Sequence, residues 1–170
     1  TLPGPIPIIR NNTFNGSGDD MLDLEADAYI EGNLFVHCVR DAWNTASGES
    51  NVLSAGAGRT YWLVRNVFHD AQHVAQVKDE AFLDFVNNTV TDISHAAIYF
   101  DLGLPGRGPG RGAYVEGCVF DGVAEVFAGV VSTTDLAVHW SIGPEELLPW
   151  GQGNLSDDPQ LIDPVQGEYG

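Results

Sequence analysis

One short pattern returns five times along the chain, and it limits what the chain can fold into. An apolar strand runs into Asn, one spacer, then Phe or Val. The copies are Ile9-Arg10-Asn11-Asn12-Thr13-Phe14, Ile30-Glu31-Gly32-Asn33-Leu34-Phe35, Leu63-Val64-Arg65-Asn66-Val67-Phe68, Phe85-Val86-Asn87-Asn88-Thr89-Val90 and Val115-Glu116-Gly117-Cys118-Val119-Phe120. Successive markers (14, 35, 68, 90 and 120) lie 21, 33, 22 and 30 residues apart, a period of about 22 with two insertions. A unit this short cannot bury its own apolar face, so its copies must stack.

Each copy carries a second apolar stretch after its marker: Met21-Leu22-Asp23-Leu24-Glu25, Asn51-Val52-Leu53-Ser54-Ala55, Val74-Ala75-Gln76-Val77-Lys78, Ala97-Ile98-Tyr99-Phe100-Asp101 and Val126-Phe127-Ala128-Gly129-Val130. Period-two alternation in the first, third and fourth makes them half-buried strands. Their alignment predicts one inward column of Leu22, Val52, Ala75, Ile98 and Phe127, and a second of Leu24, Ser54, Val77, Phe100 and Gly129. Helical periodicity is missing except at Pro144–Trp150, where Pro144 suits a first helical position and two acids follow. The insertions Arg40–Glu49 and Leu102–Gly112 read as loops, the second mobile or hairpin-like from its Gly and Pro. A sixth repeat is expected at Leu136–Ile142, followed by an irregular polar wrap from Gly151. The whole of 1–170 reads as a single domain, with repeats over about 6–143 and a cap over 144–170. Without an initiator Met or a leader pattern, the chain reads as processed or as a piece of a longer one. Cys38 and Cys118 sit three repeats apart, at least ~14 Å, which exceeds disulfide reach and predicts two free thiols.

The Asn column (Asn12, Asn33, Asn66, Asn88) beside stacked Phe14, Phe35, Phe68, Val90 and Phe120 resembles the right-handed parallel β-helix of the pectate-lyase-like superfamily. The resemblance covers roughly residues 6–143. It implies an all-β solenoid of about six coils, in which Asn side chains hydrogen-bond their copies above and below. Cys118 is expected to break that ladder. The resemblance also implies that a ligand lies on the outer face of the second strand of each repeat, with both insertions as walls.

That face presents Asp23, Leu53, Gln76, Tyr99 and Ala128, then Glu25, Ala55, Lys78, Asp101 and Val130. Lys78 and Asp101 are expected as vertical neighbours, as are Gln76 and Tyr99. His73 and His95 should stack at its edge, and Asp70 above Asp92 in the turn before it. Two readings stand. Asp101, Lys78 or the His pair could perform acid–base chemistry on a saccharide, or the face is an ordinary solvated surface. The opposing strand offers an outer column of Ile8, Tyr29, Trp62, Asp84 and Tyr114, where Tyr29, Trp62 and Tyr114 could stack on sugars, anchor a partner or lie under loops. Gly18-Asp19-Asp20 is similar to a polygalacturonase motif whose companion motifs are missing here. No Ca²⁺ signature run is present, so no cofactor is expected, Ca²⁺ being the one candidate.

Charge narrows the partners. The chain carries 24 acids against 7 bases, a net −17, with Lys78 its one lysine. Such a surface repels nucleic acid and anionic membranes, and no apolar run is long enough for a membrane helix. The reading that follows is a non-catalytic structural or binding module of an extracellular or cell-surface protein, contacting a glycan or protein partner or self-associating through open ends of the stack. The alternatives are a polysaccharide lyase or glycoside hydrolase, or its remnant, and a subunit of a self-assembling filament or surface layer. The abundance of acids over lysine also fits saline surroundings.

Overall fold

β-Branched and aromatic residues at alternate positions, punctuated by turn residues, become thirteen short strands in a computed structural model that describes residues 5–40, 48–131 and 134–161. They are β1 (Ile8–Arg10), β2 (Thr13–Ser17), β3 (Leu22–Leu24), β4 (Ala28–Glu31), β5 (Leu34–Cys38), β6 (Asn51–Ala55), β7 (Thr60–Val64), β8 (Val67–Val77), β9 (Phe82–Val86), β10 (Thr89–Phe100), β11 (Gly112–Glu116), β12 (Val119–Gly129) and β13 (Asp135–His139). The fold is all-β, and every pairing between these strands is parallel. One sheet has the order β1-β4-β7-β9-β11-β13, the other β2-β5-β8-β10-β12, with β3 on β6 and β6 on β8. The chain therefore passes from one sheet to the other and pairs each time with the strand of the preceding pass. The expected sixth repeat is real, since β13 pairs with β11 along its whole length. The expected helical turn is a 3-10 helix at Glu145–Trp150.

Each crossing from the first sheet to the second uses the same turn. The residue before each ladder position is left-handed: Asn11, Gly32, Arg65, Asn87, Gly117, Trp140 and Gly153 all have positive φ. That bend exposes a backbone N–H that no strand partner can reach, and the side chain of the next pass accepts it. The N–H of Asn12 donates to Asn33 Oδ1 (2.9 Å), Asn33 to Asn66 (2.9 Å), and Asn66 to Asn88 (2.8 Å). The chain of bonds does not stop at Cys118, contrary to expectation. Asn88 N–H donates to Cys118 Sγ at 3.4 Å, Cys118 N–H to Ser141 Oγ at 3.1 Å, and Ser141 N–H to Asn154 Oδ1 at 3.1 Å. A thiol is a weak acceptor, so that rung is longer but kept. The side-chain amides of Asn33, Asn66 and Asn88 donate back to Ile9, Ile30 and Leu63 carbonyls at 2.8–2.9 Å. The polar tail is likewise less irregular than expected, because Asn154 forms a rung and Leu155 pairs with Ile142.

The core lies between the sheets. Phe14, Phe35 and Phe68 stack at 4.8 and 5.2 Å. Val90 cannot continue the stack, and Phe85 from the opposing sheet fills its space, lying 5.7 Å from Phe68 and 6.3 Å from Phe120. The inward columns differ from expectation in the second pass. Leu53, not Val52, pairs between Leu22 and Ala75, and Ala55, not Ser54, pairs between Leu24 and Val77. Val52 is buried all the same, as are Val74, Ala97 and Val126. Two consecutive core residues at each bend break the period of two, and this hides the register. Cys38 and Cys118 are buried free thiols, and burial pushes both up to about 12.

Of the two readings of the loop at 102–112, the hairpin-like one holds, with Gly110 N–H on Asp101 O (3.1 Å) and Arg107 N–H on Leu104 O (3.0 Å), and the loop is docked rather than mobile. Leu104 N–H donates to Asp79 Oδ1 (2.6 Å), Arg107 pairs with Asp79 at 3.6 Å, and Glu80 N–H donates to Pro109 O (3.0 Å). A side chain at Gly110 would run into the Val77 carbonyl. Of the other insertion, residues 41–47 lie outside the described residues.

Replacing Asn66 with Ala leaves the Asn33 N–H unpaired in a buried site, and should cost about 1–3 kcal/mol in urea unfolding. Asn12→Ala, at the exposed end, should cost under ~1 kcal/mol by the same measurement.

Candidate functional site

Outward positions of β8 and β10 build the site. Register places Gln76 beside Tyr99, as expected, and the pairing of Val77 with Phe100 carries Lys78 to Asp101. The same column holds Asp23 and Ser54, so Ser54 stands where Leu53 was expected, and Gly56 follows where Ala55 was expected. Around Gln76, Lys78, Tyr99 and Asp101 the chain forms an open cleft of about 360 Å³. Its remaining lining comes from Asp20, Gly48, Glu49 and Asn51. One wall is thus the end of the first insertion. The second insertion is not a wall of this cleft. It docks past the strand ends and shares a separate hollow with Gly58 and Glu80.

The cleft is internally wired. Gln76 Nε2 donates to Asp101 Oδ2 at 3.0 Å, and Leu102 N–H donates to Asp101 Oδ1 at 2.6 Å. Asn51 Nδ2 donates to Asp20 Oδ1 at 2.8 Å. Burial holds the Asp20 carboxyl above the usual carboxylate range, opposed by that hydrogen bond and aided by the charges of Asp19 and Asp23. Burial, with Glu49 and Asp101, also raises the Tyr99 hydroxyl. Of Gly18-Asp19-Asp20, only Asp20 lines the cleft.

His73 and His95 meet, but not as stacked copies. The ladder pairs His73 with Ala96, because β10 is irregular between Ile93 and Ala96. His73 Nε2 and His95 Nδ1 lie 2.5 Å apart with rings inclined at 63°. His73 is fully buried and stacks on Tyr99 at 5.2 Å, while His95 is exposed beside Gln72 and Ser94. Desolvation first, then His95, lowers His73 from 6.5 to about 4, so it is a neutral imidazole at pH 7. Its Nδ1 has no hydrogen-bond partner, and the same holds for Ser50 Oγ, Asn51 Oδ1 and Ser54 Oγ nearby on β6 and its approach. Asp70 and Asp92 occupy equivalent left-handed positions, as expected, and face His37 (2.7 Å) and His69 (3.2 Å).

On the opposite sheet the expected outer column is in register: Ile8, Tyr29, Trp62, Asp84 and Tyr114. Ile6, Ile8, Tyr29 and Trp62 line an apolar hollow of about 350 Å³. Asp84 interrupts the aromatic stripe, its carboxyl raised by burial and held back by a bond from the Trp62 indole. Tyr114 hydroxyl donates to Glu116.

Sequence reasoning gave Asp20 little place and missed Glu49 and Asn51. The signal for all three was their position: Asp20 and Glu49 close the turn and the insertion that lead into β3 and β6, and Asn51 is the first residue of β6. Among the described residues, no three His, Cys, Asp or Glu side chains converge as a metal-holding group. Compared with known proteins, the chain matches no family model, no curated protein and no solved structure.

The lowered His73 makes stability depend on pH. The unfolded chain takes up a proton near 6.5, whereas folded His73 resists until about 4. Its contribution is complete above 6.5 and is lost as pH falls through that window. In urea titrations across this range, His73→Gln should flatten the acid-side decline relative to wild type. An unchanged slope would contradict the assignment.

Proposed function

We propose that this chain is a right-handed parallel β-helix of the pectate-lyase-like kind, acting as a non-catalytic binding module of an extracellular or cell-surface protein, and that it holds a saccharide in the Asp20–Asp101 cleft. The observation that carries the reading is the cleft itself. It combines fixed acceptors (Asp20, Asp101), donors (Lys78, the Tyr99 hydroxyl) and an aromatic ring, with Gln76 and Tyr99 on β8 and β10 and with Lys78 and Asp101 directly past the ends of those strands. Sugar hydroxyls need both donors and acceptors, and a pyranose ring covers an aromatic face. The alternation of two parallel sheets with a fixed register supports the β-helix reading.

The groups a catalyst would need are occupied. Both Asp101 oxygens accept internal hydrogen bonds, and His73 is covered. A lyase or hydrolase reading is favoured by one observation, the hydrogen-bonded His73–His95 pair behind Tyr99, which could relay a proton. Self-association is favoured by another: Ile8 is 64% exposed on edge strand β1.

Incubation with neutral, anionic and amine-bearing polysaccharides, following both reducing ends and unsaturated products, separates these readings. Binding in calorimetry without product is the expected result. Product from any glycan, lost in Asp101→Asn, would replace the binding module with an enzyme.

A further inference from the structure

The cleft is asymmetric in charge and in hydrogen-bonding capacity. Its described lining holds three carboxylates, Asp20, Glu49 and Asp101, against one ammonium, Lys78. Asp23, in the same outer column, adds its charge at Asp20. The amide donors are already committed, Gln76 to Asp101 and Asn51 to Asp20. What remains is mostly acceptor. Asn51 lines the cleft, is 2% exposed, and its Oδ1 has no partner. An unpartnered acceptor beside carboxyl groups is completed by a ligand that brings N–H donors.

From this juxtaposition we infer that the cleft selects saccharides carrying a free, protonated amine, namely hexosamine units, over uronic acids and N-acylated sugars. The inference rests on the saccharide reading above. An ammonium brings three donors and no acceptor, which matches Asn51 Oδ1 and the further lone pairs of the Asp20 and Asp101 carboxyl oxygens. It also gains from the face of Tyr99, where a cation is attracted to the ring quadrupole. A uronate carboxylate would instead meet three like charges, within a chain of net charge −17. The carboxylates do not converge as a metal-holding group, whereas one ammonium needs only one or two of them.

The test is calorimetry of the intact chain at ~pH 6, below the usual range of an amine. The ligands are a glucosamine oligomer, its N-acetylated counterpart, an oligogalacturonide, spermidine and an oligolysine. The glucosamine oligomer is expected to bind at least roughly tenfold tighter than the other four, and to weaken with added salt. Asp101→Asn should weaken it about tenfold. Lys78→Gln should tighten it several-fold by removing the one competing cation, a gain that a damaged fold would not produce. Equal or tighter binding of the acetylated or uronic oligomer overturns the amine selection while leaving saccharide binding intact. Equal binding of spermidine or oligolysine overturns the saccharide class. No binding of any sugar defeats the saccharide reading itself and this inference with it.

Discussion

A single backbone N–H in each turn organises this protein. The left-handed residue before each ladder position turns the chain between the two sheets and leaves that N–H facing along the stack. The side chain of the next pass accepts it, from Asn12 through Asn154. A buried donor without a partner costs about 1–3 kcal/mol, so the rung ties each pass to a fixed height and register on its neighbour. That register is what brings Gln76 beside Tyr99 and lines up the aromatic column of the opposite sheet. The cleft depends on the ladder through geometry, although no ladder residue touches it.

Much of this was readable from the residues because stacked copies repeat their spacing. The extra strand at β13 and the outer column of the opposite sheet follow from the period, the parallel all-β arrangement and the Asn rungs from the resemblance that the repeats carry, and the 3-10 turn from Pro144 and the two acids after it. What was hidden has physical causes. Two adjacent core residues at each bend, such as Val52 and Leu53, defeat an alternation rule, so the second pass slipped by one. Phe85 and Val90 exchange volume across the core, and volume exchange leaves no period. Cys118 and Ser141 accept hydrogen bonds with atoms other than an amide oxygen, so the ladder is chemically broader than its Asn signature.

The candidate site was half legible. Lys78, Asp101, Gln76 and Tyr99 share a face by register, but Asp20 and Glu49 arrive from turns whose path only the folded chain defines, and Asn51 from the start of β6. The expected stacking of His73 on His95 failed because a local irregularity in β10 shifts His95 out of register and makes the pair a hydrogen-bonded one. The acidity of the chain is meaningful here locally: it makes the cleft rich in acceptors and poor in free donors.

Amide hydrogen exchange at the ladder positions tests the central claim most directly. The backbone amides of Asn33, Asn66, Asn88 and Cys118 should exchange only through global unfolding, although each lies at a turn outside a strand. Exchange of these amides as fast as that of exposed turn residues would contradict the ladder as the element that sets the register of the fold.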